Sequence, residues 1–173
     1  MKALKIILIV IGSIVVLFVV VFAVYLLLNR QRVITSSEMG SPEMKQKVLI
    51  ASQGSNFKNA LVESLTIHLK ADSVYIKVID VTTLKDIKEE DWNAVVLIHT
   101  TEQLKMQLDV KAYLDHAKDL SKVIVLTTSG SGEWKAKDYN VDIITSASRK
   151  EELPVLIKEI LSRLDQILKK TNE

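Results

Sequence analysis

From Ile6 to Leu28 the chain carries no charged side chain, and only Gly12, Ser13 and Tyr25 are not plainly apolar. Wound as an α-helix at roughly 1.5 Å per residue, this run is about 35 Å long. That is enough to cross a hydrocarbon core of about 30 Å with some tilt. Lys2 and Lys5 precede it, and Asn29, Arg30 and Arg32 close it. A cleavable signal has an apolar region of about 7–15 residues and a small-residue cleavage site. Here the run is longer, ends in bulky residues, and the chain has no Cys for lipid attachment. The expectation is an uncleaved single-pass transmembrane helix over 6–28, in contact with the lipid bilayer, after a short tail over 1–5. Lys and Arg favour the cytoplasmic side. Their count nearly balances, with Arg30, Arg32, Lys45 and Lys47 on the long side, so the side stays open with a slight lean to a cytoplasmic domain.

Residues 29–46 hold Thr35-Ser36-Ser37, Gly40-Ser41-Pro42 and mixed charge, and read as a flexible linker. Residues 47–173 are long enough for one domain with a real core. The net charge of +2 and the lack of a face-sized Lys/Arg cluster argue against a nucleic-acid partner.

The domain alternates apolar runs with helical patterns. Lys47–Ser52 is a strand buried on both faces, followed by a turn at Gln53–Asn56. Phe57, Ala60, Leu61, Leu65 and Leu69 then recur at helical spacing. Ser73–Val81 is a second strand, and Thr83 is placed to cap a short helix through Lys88. Asn93–His99 is the most apolar strand and belongs in the centre. Met106, Val110, Tyr113, Leu114 and Ala117 mark a helix of about four turns. Lys122–Thr128 and Val141–Thr145 are the fourth and fifth strands, joined by a loop over Ser129–Asn140. Ser148 and Glu151 form an S-x-x-E capping box for a last helix; Pro154 then falls awkwardly past its first turn, which leaves open a start a few residues later.

This alternation predicts an α/β fold with a five-stranded parallel doubly wound sheet in the order 2-1-3-4-5. Such sheets bind ligands beyond the carboxyl ends of their strands. Ser52–Asn56, His99–Glu102 and Thr128–Trp134 therefore gather around one mouth.

Over roughly Lys47–Leu168 the chain resembles the flavodoxin family, and membrane-tethered flavodoxin-like proteins in particular. Ser52-Gln53-Gly54-Ser55-Asn56-Phe57-Lys58 stands where flavodoxins have S-x-T-G-N-T-E, the loop that wraps the FMN phosphate. Asp91–Leu97 resembles the family's D-Y-D lead into the third strand, and Lys122–Gly130 resembles its fourth strand ending in T-x-G. The resemblance implies FMN contacts from Ser52, Gly54, Ser55 and Asn56, from His99 and Thr100, and from Thr128, Gly130, Gly132 and Trp134. Departures are present. Only Ser52 and Asn56 match the phosphate loop identically, Phe57 replaces a hydroxyl residue, and the loop after the third strand has no aromatic beyond His99.

Each residue also has a plainer reading. Ser52, Ser55 and Asn56 suit turns and caps without a ligand. Trp134 is placed to stack on a flavin or to pack on its own domain, and His99 to contact a ligand or to hold structure. His68 and His116 lack the partners a metal site requires, and no G-x-S-x-G elbow is present. The expectation is a tethered interaction module with an eroded cofactor site, engaging a membrane or redox protein. The alternative is an FMN-binding electron-transfer protein.

Overall fold

A computed structural model describes residues 2–28, 32–70, 74–136 and 138–170. Asn29, Arg30 and Ser73, which the sequence reading placed at element ends, lie outside the described residues. The chain divides into two compact units, 1–31 and 32–173. The first is one helix, α1 (Lys2–Leu28). Its stretch Lys5–Tyr25 is long and apolar enough to cross a membrane, and the large apolar side chains from Ile6 to Tyr25 are exposed.

The second unit is built on one six-stranded sheet. Its strands are β1 (Ser37–Met39), β2 (Lys47–Ser52), β3 (Tyr75–Asp80), β4 (Ala94–Thr100), β5 (Val123–Thr128) and β6 (Asp142–Ser146). The spatial order is β1-β3-β2-β4-β5-β6. The five expected strands are parallel and stand in the expected order. The sixth, β1, was not expected. It runs antiparallel along β3, with Glu38 opposite Lys77 and bonded to it at 2.9 Å. Three largely exposed residues carry no alternation strong enough to read, and β1 is held by its neighbour rather than by its own pattern.

Residues 32–46 are therefore not a free tether. Arg32 forms an antiparallel bridge to Gly54, and the Ile34 amide donates to Asp80 Oδ2 at 2.8 Å.

Alternate residues of the central strands enter two cores on opposite faces, and both faces are covered. Val48, Ile50, Val96, Ile98, Ile124 and Leu126 lie beneath α2 (Asn56–Lys70) and α4 (Leu153–Lys170). On the other face Leu49, Ala51, Val95, Leu97, Val123 and Val125 meet thinner cover. It consists of 3-10 turns over Val81–Asp86 and Glu89–Asp91, the nine-residue α3 (Leu108–His116), and the loop carrying Trp134 and Tyr139.

Two helix starts differ from expectation, and a third falls at the later position that Pro154 left open. Asp80, not Thr83, caps the turn after β3, accepting from the Thr82 amide. Helix α3 is shorter than four turns because Gln107 caps it, its side chain accepting from the Val110 amide at 2.8 Å. Met106 is buried ahead of that cap. Helix α4 begins at Leu153, which puts Pro154 in the first turn, where a missing N–H has no helical partner to lose. Ser148 has φ 60 and does not cap. Glu152 folds back instead, accepting from the Ser146 hydroxyl and from the Ala147 amide.

Candidate functional site

Parallel pairing brings the ends of β2, β4 and β5 together, so the three predicted loops do share one mouth. Its interior is a chain of the protein's own polar groups. Lys58, in the first turn of α2, is only 1% exposed and donates from Nζ to Thr100 Oγ1 at 2.5 Å. With Thr100 Oγ1 accepting there, its proton is directed to Thr128 Oγ1 at 2.8 Å, and Thr128 donates to the His99 carbonyl at 3.2 Å. Gln53 closes the side of this chain. Its Oε1 accepts from the Thr100 amide at 2.7 Å and its Nε2 donates to Glu102 Oε1 at 3.3 Å.

Burial pulls the Lys58 ammonium down to about 8, against the opposing pull of the nearby Glu102 carboxylate. Burial also takes His99 down to about 4; a bond to the Thr100 carbonyl works the other way, and the Lys58 charge adds to the fall. His99 is therefore neutral at pH 7. Its Nδ1 faces a carbonyl, which only accepts, so Nδ1 carries the proton and Nε2 accepts from Thr127 Oγ1 at 3.0 Å. With no exposed surface, His99 is a structural member of β4 rather than a ligand contact.

The loop after β2 is closed from outside. The Gly54 amide donates to the Arg32 carbonyl at 2.5 Å, and the Arg32 amide donates to the Gly54 carbonyl at 2.8 Å. A Cβ at Gly54 would stand 2.5 Å from that Arg32 oxygen, so this crossing requires glycine. Asp80 pins the crossing strap from the next strand by accepting from Ile34.

The remaining predicted residues take local roles. Ser52 is buried and donates to the Gln53 carbonyl. Ser55 caps α2, its hydroxyl accepting from the Lys58 amide at 3.2 Å, and Asn56 is the exposed first residue of that helix. Phe57 does not crowd the mouth; it turns into the core beside Leu61. Gly130 is exposed. Gly132 has φ 75, and a Cβ there would meet the Ala147 amide nitrogen at 2.8 Å. Trp134 packs on its own domain and donates from Nε1 to the Leu104 carbonyl at 2.9 Å. Among the described residues no group of His, Cys, Asp or Glu forms a metal cluster.

An anion at this helix start would bond free amides; the Gly54 amide is already bonded to the Arg32 carbonyl and the Lys58 amide to the Ser55 hydroxyl, so in this arrangement the loop is partly occupied by the chain's own groups. Sequence reasoning missed Lys58 and Gln53. Lys58 carried a signal, since it falls on the buried stripe Lys58-Leu61-Leu65-Leu69.

No protein-family profile and no curated protein sequence matches the chain. Among solved structures, a metal-soaked flavodiiron core from Synechocystis sp. PCC6803 matches 75% of this chain at 13% identity and a TM-score of 0.52, over 37% of its own length. The fold is flavodoxin-like. A flavodoxin from the domain Archaea matches 74% of the chain and all of its own at 16% identity and a TM-score of 0.49. A Streptococcus pneumonia TIGR4 flavodoxin matches 70% of the chain and 98% of its own at 9% identity and a TM-score of 0.46. These comparisons concern the domain's fold and single out no membrane-tethered subgroup.

A different cleft, of about 480 Å³, opens on the thinly covered face. Leu84, Ile87, Ala112, Tyr113 and Ala117 line it, together with Glu89 and His116. The Tyr113 hydroxyl is buried and has no hydrogen-bond partner among the described residues. Burial raises its pKa, and the Glu89 charge raises it further.

Proposed function

We propose that the chain is a membrane-anchored interaction module whose flavodoxin-like domain keeps its strand-tip mouth filled with its own side chains. The observation that carries this reading is the occupancy of the mouth: Lys58 bonded to Thr100, with the Arg32 carbonyl on the Gly54 amide. Helix α1 supplies the anchor, since an apolar surface on every side suits a lipid surround. The partner is a membrane or redox protein, and the cleft between α3 and the turns at 81–91 is the surface that receives it. Short 3-10 turns in place of a full crossover helix leave that cleft open.

Titration with FMN tests the mouth. The purified full chain in detergent is expected to be colourless and to leave flavin fluorescence unchanged at high micromolar protein; a yellow stoichiometric complex overturns the reading. For the cleft, Ala112→Arg is expected to abolish retention of a stoichiometric partner from solubilised membranes. Retention unchanged by that variant, or no partner at all, counts against it.

A second reading is FMN-dependent electron transfer. The flavodoxin-like fold and the Ser55 cap at the start of α2 favour it. It requires the Arg32–Ile34 strap to leave the loop, and the same titration decides between the two.

A further inference from the structure

Among the described residues of the domain, the three most exposed large apolar side chains are Leu104 at 79%, Val33 at 76% and Leu108 at 74%. All three belong to the strand-tip end. Val33 sits on the strap between Arg32, bridged to Gly54, and Ile34, bonded to Asp80. Leu104 lies on the segment joining the tip of β4 to α3, and Leu108 is the first residue of α3. Gln53 links the two groups, because it follows β2 directly into the Gly54 loop and bonds Glu102.

Leu104 stands on an unusual support. Glu102 and Lys105 exchange both backbone bonds at 2.9 Å, closing a two-residue hairpin. Its central residues, Gln103 and Leu104, have φ 51 and 61. Such turns ordinarily use Asn and Gly, which tolerate positive φ. Here a leucine takes the left-handed position and points into solvent, while the Trp134 indole holds its carbonyl. Local packing does not explain an apolar side chain at that place.

The occupant follows from the chain itself. Arg32 comes four residues after Leu28, so at most about 14 Å of extended chain joins them whatever their arrangement. We propose that the strand-tip end seats on the lipid surface, with Val33, Leu104 and Leu108 inserted at the boundary between headgroups and acyl chains. The proposal rests on the reading of α1 as the anchor. The hairpin pairs an acidic residue, Glu102, with a basic one, Lys105, so the contact is apolar rather than electrostatic and holds on zwitterionic lipid.

The chain's two tryptophans supply the test. Trp134 touches the Leu104 hairpin, whereas Trp92 is buried at the opposite end of β4, stacked on Tyr75. The full-length Trp92→Phe and Trp134→Phe variants are reconstituted in phosphatidylcholine nanodiscs whose lipids carry a nitroxide high on the acyl chain. Interfacial groups sit roughly 5–10 Å into that region, so Trp134 is expected to lose about half its emission while Trp92 keeps its own. Adding Leu104→Ser and Leu108→Ser is expected to restore Trp134 emission without altering the fold, since both side chains are exposed. If alkaline carbonate leaves the chain in the bilayer and Trp134 is nevertheless unquenched, the seating is wrong and the anchor stands. Release of the chain by carbonate overturns both.

Discussion

The buried amine of Lys58 makes the stability of this domain rise with pH. In the unfolded chain the lysine ionises near its ordinary 10.5, and in the fold burial takes it to about 8. A folded value below the unfolded one disfavours the charged form, so the cost is fully present below pH 8. It is relieved as pH rises from about 8 towards 10.5. At about 1.4 kcal/mol per tenfold, the whole gap corresponds to about 3 kcal/mol, and about 2 kcal/mol of it returns between about pH 7 and about pH 9.5. That window lies below tyrosine ionisation, which acts in the other direction for Tyr75, Tyr113 and Tyr139 because burial raises each of them. Lys58→Met removes the charge but also a charge-assisted hydrogen bond to Thr100, worth about 1.5–3 kcal/mol. Thr100 keeps its bond to Thr128. The two effects nearly offset at pH 7, so the variant is expected to lie within about 2 kcal/mol of the wild type there and to lose the rise with pH. Urea unfolding of the full chain in a non-ionic detergent, followed by tryptophan emission across this pH range, measures both. A wild-type midpoint that stays flat from pH 7 to pH 9.5, or a Lys58→Met variant that keeps the rise, refutes the reasoning.

Two further substitutions probe the strap. Gly54→Val places a Cβ 2.5 Å from the Arg32 carbonyl oxygen, closer than the two atoms can stand, and is expected to release Arg32–Ile34 and speed tryptic cleavage after Arg32; an unchanged cleavage rate contradicts the crossing. Asp80→Ala removes the acceptor for the Ile34 amide, the Thr82 amide and the Thr82 hydroxyl. It should cost about 1–3 kcal/mol by urea unfolding, and a loss below about 0.5 kcal/mol speaks against Asp80 as the pin.

The parallel core was legible because β2, β4 and β5 are unbroken apolar runs, and only strands covered on both faces tolerate such runs. The shared mouth followed from that topology. Its contents did not. A lysine on a helix reads as polar and solvent-facing, and only its place on the Leu61-Leu65-Leu69 stripe marks Lys58 as buried. Phe57 stands in the loop where the resemblance has a hydroxyl residue, yet the first turn of α2 directs it into the core. The strap was hidden because residues 32–46 have a linker's composition; what orders them is contacts from Gly54, Asp80 and Lys77, distant in sequence. The capping box at Ser148 failed for a related reason: Glu152 finds the end of β6 instead.

Closure of the mouth by the chain's own groups is tested most directly by hydrogen exchange at single amides of the full chain. The Gly54 and Arg32 amides, each bonded to the other's carbonyl, are predicted to exchange slowly and together, far behind that of exposed Gly130. Gly54 exchanging as fast as Gly130 would mean that the strap does not cover the loop.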